Sequence, residues 1–260
     1  MKNYSLALWG WAARWLAHIW VIKYLEEQKT EINEVSGTSM WAIVAAMLAI
    51  WKTSSEMQDF ANELNLLKLV DPEFKTGLLK WKKIEKKLEE IFWKTNIEDT
   101  KIPLRIVATN IEQAKSRVFD KWNIITALRA SISLPWIFTP QKIQWEDYVD
   151  WGIMMNLPIE VLDGEDIIAV SALKINTWEI RETKKIIWFN FKSWFFKNNY
   201  EIIKRSVIAM MKVNEDNSLK TPGKNIQLLR PDFWKLDIID FNKVDEFVEI
   251  GYSQAKSLEL

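Results

Sequence analysis

Cysteine is absent from this 260-residue chain, histidine occurs once, and glycine occurs only 7 times. Without cysteine there are no disulfides and no thiolate chemistry, a composition suited to a reducing compartment. One histidine leaves carboxylates as the main metal ligands, and these do not group at ligand spacing, so no metal site is expected. The 35 basic residues balance 35 acidic ones, so no global field attracts nucleic acid or anionic lipid. No run of about 18 apolar residues exists, and a membrane-spanning helix is not expected. The first 21 residues join Lys2 to an apolar run with Ala12 and Ala13, features shared with signal peptides, but Arg14 and His18 interrupt that run. The length allows a substantial core. No repeat or low-complexity linker divides the chain, so residues 1–260 are read as one domain.

The chain is organised around residues 31–51. Ile32 and Val35 alternate with polar residues as in a short strand, and Ala42 to Ile50 is an unbroken apolar run of good helix formers. Between them stands Gly37-Thr38-Ser39-Met40-Trp41. A strand, a sharp turn and a helix are the context in which Gly-x-Ser-x-Gly exposes a nucleophilic serine. The helix N-terminus after Ser39 favours negative charge developing beside it. The second glycine of that pattern is here Trp41. Such a turn needs small flanking residues, so an indole at 41 is expected to exclude it.

Glycine scarcity and tryptophan abundance belong together. Average glycine usage of about 7% would place roughly 18 glycines in this length, whereas the chain has 7 Gly and 16 Trp. Trp9 and Trp11 flank Gly10 after a strand, Trp136 follows Pro135, and Trp151 separates Asp150 from Gly152. These are positions for glycine chemistry. We read many of these tryptophans as UGA codons, translated here as Trp and read as Gly under a variant code. The alternative is a Trp-rich or deliberately substituted protein.

Tyr4 to Leu8 reads as a first strand, followed by a loop and an amphipathic helix carrying Leu16, Ile19, Ile22 and Leu25 and ending near Gln28. With glycine at 9, 11 and 15 the loop would present free backbone N–H groups to an anion. It lacks the glycine-lysine spacing of a nucleotide phosphate loop, so an oxyanion hole is the better reading. Its donors would be the N–H groups around Gly10, Trp11 and Ala12, with Arg14 as an added positive charge. Thr53 to Glu56 has capping-box spacing, residues 55–70 and 77–92 read as helices, and Ile102 to Asn110 reads as a buried parallel strand. Asp166 to Ser171 is one more strand. Residues 185–213, rich in Trp, Phe and Lys, read as helices packed on the core, with a lipid-facing flap as the alternative. The lone His18 lies upstream of Ser39 within a helix, so a triad with a late histidine is excluded. The base must be another group, and a carboxylate bonded to the serine hydroxyl serves where its environment raises its pKa.

Several blocks resemble the bacterial patatin-like phospholipases. Residues 6–27 are similar to that family's opening strand, Gly-Gly-Gly-x-Arg-Gly loop and Leu-Ala-His-Ile-Gly-Val. Residues 34–46 are similar to its Gly-Thr-Ser-Met-Gly-Ala segment. Residues 102–110 match its Pro-Leu-x-Ile-Val-Ala-Thr-Asp strand with Asn110 for the acid, and 123–138 resemble its Ala-x-Arg-Ala-Ser-x-x-x-Pro-Gly-x-Phe stretch. Tyr148 to Pro158 resembles its Val-Asp-Gly-Gly segment and Asn-x-Pro continuation. Trp9, Trp11, Trp15, Trp20 and Trp41 stand where the family has glycine. The resemblance is best over residues 4–172 and weaker in the C-terminal part, 185–260.

It implies a three-layer α/β fold, a mainly parallel sheet with helices on both faces. It also implies a Ser39–Asp150 dyad, a nucleophile turn framed by Gly37 and Trp41, and an oxyanion hole at Gly10, Trp11, Ala12 and Arg14. The implied activity is phospholipase A-like acyl hydrolysis with no cofactor. The partners expected are a phospholipid or other acyl ester and, peripherally, a membrane, but not nucleic acid. A cytoplasmic location is expected, with secretion left open. The alternatives are a general carboxylesterase or thioesterase, and an inactive lipid-binding protein if the tryptophans are genuine.

Overall fold

Strand β1 (Asn3–Gly10) is buried from Tyr4 onward on both of its faces, which requires a sheet covered on both sides. The structure, a computed structural model, describes residues 3–10, 16–63, 71–73, 78–80, 82–135, 138–150, 155–173, 194–231 and 244–260. After β1 come α1 (Leu16–Glu27), β2 (Glu31–Thr38), α2 (Met40–Ala49), α3 (Ser54–Glu63), β3 (Asp71–Glu73), β4 (Leu78–Lys80) and α4 (Lys82–Phe92). Then follow β5 (Leu104–Asn110), β6 (Lys115–Phe119), α5 (Ile124–Ile132), β7 (Gln141–Ile143) and β8 (Glu146–Val149). The last elements are β9 (Asp166–Ala172), α6 (Trp194–Ser218), β10 (Asn225–Leu229) and α7 (Val244–Ala255).

The main sheet runs β10-β9-β1-β2-β5-β8-β7, with β6 also paired to β5. From β10 to β5 the strands are parallel, whereas β6 and β8 run antiparallel to β5. Alternate residues go to opposite layers, as strand geometry dictates. Leu6, Leu8, Ile168 and Val170 pack with α1 and α2, whereas Ala7, Trp9, Ile167 and Ala169 pack with Leu157, Ile159 and Met211 of α6. The mainly parallel three-layer α/β arrangement is therefore as expected. The strand order changes sense at β1, where open α/β sheets leave a crevice beyond the strand C-termini.

Three local readings change. β1 continues through Gly10, so Trp9 is a buried strand residue level with Ser171 and not part of a turn. Leu78–Lys80 pairs antiparallel with Asp71–Glu73, and the helix expected over 77–92 starts only at Lys82. The capping box forms as read, with Thr53 N–H donating to Glu56 Oε2 (2.8 Å) and Glu56 N–H to Thr53 Oγ1 (3.3 Å). Its helix is described as far as Glu63, and residues 64–70 lie outside the described set. Of the 185–213 segment, α6 carries Met211 into the core, in keeping with a packed helix, while 185–193 lie outside the described residues. In α7, a Cβ on Gly251 would stand 2.3 Å from the Ala17 carbonyl oxygen, so the α1–α7 crossing depends on a glycine there.

Backbone geometry bears directly on the tryptophans. Among the described residues seven non-glycine positions have positive φ, and three are Trp51 (62°), Trp93 (47°) and Trp122 (123°). Tryptophan is only 16 of 260 residues, so this share argues against chance. Trp51 follows α2 in a Schellman closure: its N–H bonds to Leu48 O (2.9 Å) and the Lys52 N–H to Met47 O (2.9 Å). The residue most suited to that left-handed position is glycine. Trp145, in the two-residue turn between β7 and β8, is 92% exposed. An indole there contributes nothing that a glycine would not.

The lower half of the sheet is tied by Glu34. It accepts from Ser5 Oγ (2.6 Å), the Gly164 and Asp163 amides (2.5 and 3.1 Å) and Arg105 (2.5 Å), joining β1, β2, β5 and the lead into β9. Burial alone would raise the Glu34 pKa, but the bonds from Ser5, Gly164 and Asp163 and the Arg105 charge outweigh it and hold it below the ordinary 4.5. The stability it contributes is therefore present above the unfolded pKa and lost as pH falls through the lower folded value. Glu34→Ala is expected to cost about 2 kcal/mol, because it removes the acceptor of the Ser5 hydroxyl and of two amides. It also removes one of the two carboxylates on half-buried Arg105, which keeps Asp163. Urea unfolding at neutral pH measures this loss. Glu34→Gln should flatten the acid side of the Tm–pH curve, and an unchanged curve would rule out this role.

Candidate active site

β2 ends at Thr38 and α2 begins at Met40, so Ser39 alone makes the change from strand to helix. Its backbone adopts φ 59° and ψ −140°, a conformation that a non-glycine residue keeps only where its surroundings impose it. Strand and helix pass close together here. A Cβ on Gly37 would lie 2.8 Å from Ala42 Cα and 2.9 Å from the Trp41 carbonyl oxygen, so glycine is required at 37.

Trp41 does not exclude the turn, contrary to the sequence expectation. Its indole is buried away from that contact, reaching α1 and the end of β1, and Nε1–H donates to His18 Nδ1 (3.1 Å). The crowding falls on Gly10 instead, where a Cβ would lie 2.8 Å from Trp41 Cζ2 and 2.4 Å from Ala172 Cβ. An indole N–H only donates, so His18 Nδ1 is the acceptor. The proton then sits on Nε2, facing the carbonyls of Trp9 (3.0 Å) and Val170 (3.2 Å). His18 thus ties α1 to β1 and β9, a packing part and not that of a base.

The Ser39 hydroxyl donates to Asp150 Oδ2, although 111 positions separate the two residues. β5 brings them together. It pairs with β2 at Thr38–Val107 and with β8 at Thr109–Val149, and Ser39 and Asp150 are the next residues beyond those pairs. Asp150 is buried, and its own N–H donates to the Ser133 carbonyl (2.8 Å). The Ser39 N–H donates to Ser131 Oγ (2.8 Å), whose hydroxyl donates to the Val107 carbonyl (2.6 Å). Ser131 was not singled out as a site residue in the sequence; its signal was its place as the serine of the Ala-x-Arg-Ala-Ser-x-x-x-Pro resemblance. Arg129 bonds Ser133 Oγ and the Thr139 carbonyl (2.8 Å), and burial pulls its pKa below the ordinary value while the Glu85 charge opposes this.

Of the oxyanion residues, Gly10 stands at the C-terminal end of β1. Leu8 is level with Gly37, which carries Gly10 to the level of Ser39. Trp11, Ala12 and Arg14 lie outside the described residues, as do Trp15, Trp136 and Trp151. The N-terminus of α2 adds a partial positive charge beside Ser39. Among the described residues no group of three or more His, Cys, Asp or Glu is placed to hold a metal ion.

The family model for Patatin-like phospholipase matches residues 6–163, more than half of the chain. The chain belongs to the patatin-like phospholipase family. The match contains Ser39, Asp150 and Gly10. Among relatives, an uncharacterized NTE family protein of Mycobacterium tuberculosis is 32% identical over 176 residues, covering 66% of this chain and 49% of its own length. The human patatin-like phospholipase domain-containing protein 6 is 23% identical over 276 residues, 98% of this chain and 20% of that protein. Lysophospholipase NTE1 of Meyerozyma guilliermondii is 26% identical over 278 residues, 98% of this chain and 19% of that protein. This chain therefore spans half or less of these relatives. The crystal structure of VipD from Legionella pneumophila shares the fold at a TM-score of 0.53 and 15% identity, over 98% of this chain and 66% of that one.

Proposed function

We propose that this patatin-like chain is a lipid acyl hydrolase of the phospholipase A type, working through Ser39 and Asp150 by a serine acyl-enzyme. The observation that carries the reading is the bond from the Ser39 hydroxyl to Asp150 Oδ2, at a positive-φ turn beyond the parallel strands. The names of relatives, phospholipase and lysophospholipase, support a lipid acyl ester as substrate.

In this mechanism Asp150 accepts the hydroxyl proton as Ser39 Oγ attacks the ester carbonyl carbon. The oxygen that becomes negative faces backbone N–H groups of the loop after β1 and the N-terminus of α2. Collapse breaks the ester C–O bond, and Asp150 returns its proton to the leaving alcohol. Water then attacks the acyl-enzyme, gives its proton to Asp150, and frees the fatty acid and the Ser39 hydroxyl. No step calls on a cofactor or a nucleic acid. Contact with lipid in this reading is peripheral and transient, in a cytoplasmic setting; among the described residues no helix is long and apolar enough to cross a membrane.

A second reading, an inactive lipid-binding protein, is favoured by the Trp41 indole pressed against Gly10, the first residue of the oxyanion loop. The test treats the chain as written, and the chain with Gly at 9, 11, 15, 20, 41, 136 and 151, with a fluorophosphonate and with phosphatidylcholine vesicles. Adduct at Ser39 in peptide mass spectra and released fatty acid are expected, most strongly in the glycine form. Vesicle binding without adduct or release in either form would leave the binding reading. Preference among acyl chains and thioesters separates a phospholipase from a general carboxylesterase or thioesterase.

A further inference from the structure

We infer that Ser131 is a positioning residue for the nucleophile, its hydroxyl holding the Ser39 backbone in the left-handed conformation that aims Oγ at Asp150. The inference rests on the Ser39–Asp150 reading and adds to it the group that keeps the turn wound. Ser39 sits at φ 59°, a conformation with a conformational cost, and Ser131 supplies a partner for its N–H. The direction of the chain of bonds is determined. A backbone N–H only donates and a carbonyl only accepts, so the order is Ser39 N–H to Ser131 Oγ–H to Val107 carbonyl, at 2.8 and 2.6 Å. Ser131 is wholly buried, and water does not replace it without a rearrangement.

The same end of α5 holds the other partner, because the Ser133 carbonyl accepts the Asp150 N–H (2.8 Å). Arg129 is buried beneath it, and bonds to Ser133 Oγ, Thr139 O and Thr139 Oγ1 fasten that turn to the lead into β7. One rigid helix end thus sets the positions of both reacting groups. The Ser39 amide is committed to Ser131 and so is not an oxyanion donor in this arrangement.

The test compares fluorophosphonate labelling rate, kcat and KM on a short-chain acyl ester, and Tm, in the labelled form of the chain and four variants. Ser131→Ala is expected to slow labelling and kcat by about 10²-fold with KM unchanged, as displacement of a reacting group does. Ser131→Cys keeps the side-chain size but accepts weakly, should fall in the same direction, and carries the test if Ser131→Ala does not fold. Ser36→Ala removes an equally buried hydroxyl bond from β2, the strand that leads into Ser39, to the Pro158 carbonyl (2.8 Å), and should lower Tm without slowing the reaction. Parent rates in both Ser131 variants, or an equal loss of kcat in Ser36→Ala, overturn the inference. No labelling of the parent chain, or labelling undiminished in Ser39→Ala, instead sinks the nucleophile reading and the inference with it.

Discussion

Ser39→Ala is expected to lower kcat for acyl-ester hydrolysis by on the order of 10⁶, with the fold intact. The hydroxyl bonds outward to Asp150, and its loss leaves the backbone bonds of the turn in place. Asp150→Asn should cost about 10⁴, because an amide of the same shape keeps the buried site filled but does not take up a proton. The Asp150 N–H would still reach the Ser133 carbonyl, so the variant should unfold at nearly the parent temperature. The two losses should not add: the double variant should be no slower than Ser39→Ala, since the residues act as one unit. A base works only when deprotonated, so any acid limb of the kcat/KM–pH profile that belongs to the base should vanish in Asp150→Asn. Steady-state kinetics across pH decides the matter. An Asp150→Asn enzyme at parental kcat with the acid limb retained would assign the base to another group.

Replacing Trp51, Trp93 and Trp122 together by glycine should stabilise the protein, the reverse of what removing three large side chains does in a core. All three hold positive φ and are 67%, 74% and 41% exposed, so little packing is lost. Left-handed geometry costs a residue with a Cβ about 1–2 kcal/mol, and glycine returns part of this through the greater freedom of the unfolded chain. A net gain of about 1 kcal/mol per site corresponds to a Tm rise of roughly 6–12 °C for the triple variant. Trp93 and Trp122 both flank the 95–97 turn, where Ile97 N–H meets Trp122 O and Ile124 N–H meets Thr95 O, so those two sites need not add. Calorimetry on the single and triple variants measures this. A triple variant that melts at or below the parent would remove the backbone argument for glycine at these codons. Peptide mass spectrometry of the native protein across 51, 93 and 122 gives the independent answer, and glycine masses are expected.

The strand and the helix of residues 31–50 were legible because their signals are local: a short alternating run and an apolar run of helix formers each constrain the backbone within a few positions. The turn between them was misjudged because the path of the Trp41 indole is not a local property. The lone upstream histidine excluded a late-histidine triad, and resemblance then pointed to Asp150. The strands Lys115–Phe119, Gln141–Ile143 and Asn225–Leu229 were missed because they are short and mostly half-exposed or exposed, with little apolar patterning to read. Leu78–Lys80 was taken into a helix because strand pairing with Asp71–Glu73 overrides local propensity.

The sequence by itself determined the strand and helix on either side of Ser39 and the lack of a late histidine, since these rest on periodicity and residue identity. The layered α/β class and Asp150 came from the family resemblance. Only the tertiary structure decided that Ser39 and Asp150 meet, that α5 holds both of them, and that the Trp41 indole finds room beside His18. Those outcomes depend on β5 pairing with both β2 and β8 and on which side chains share a buried space. Such contacts join residues far apart in the chain, and no local pattern records them.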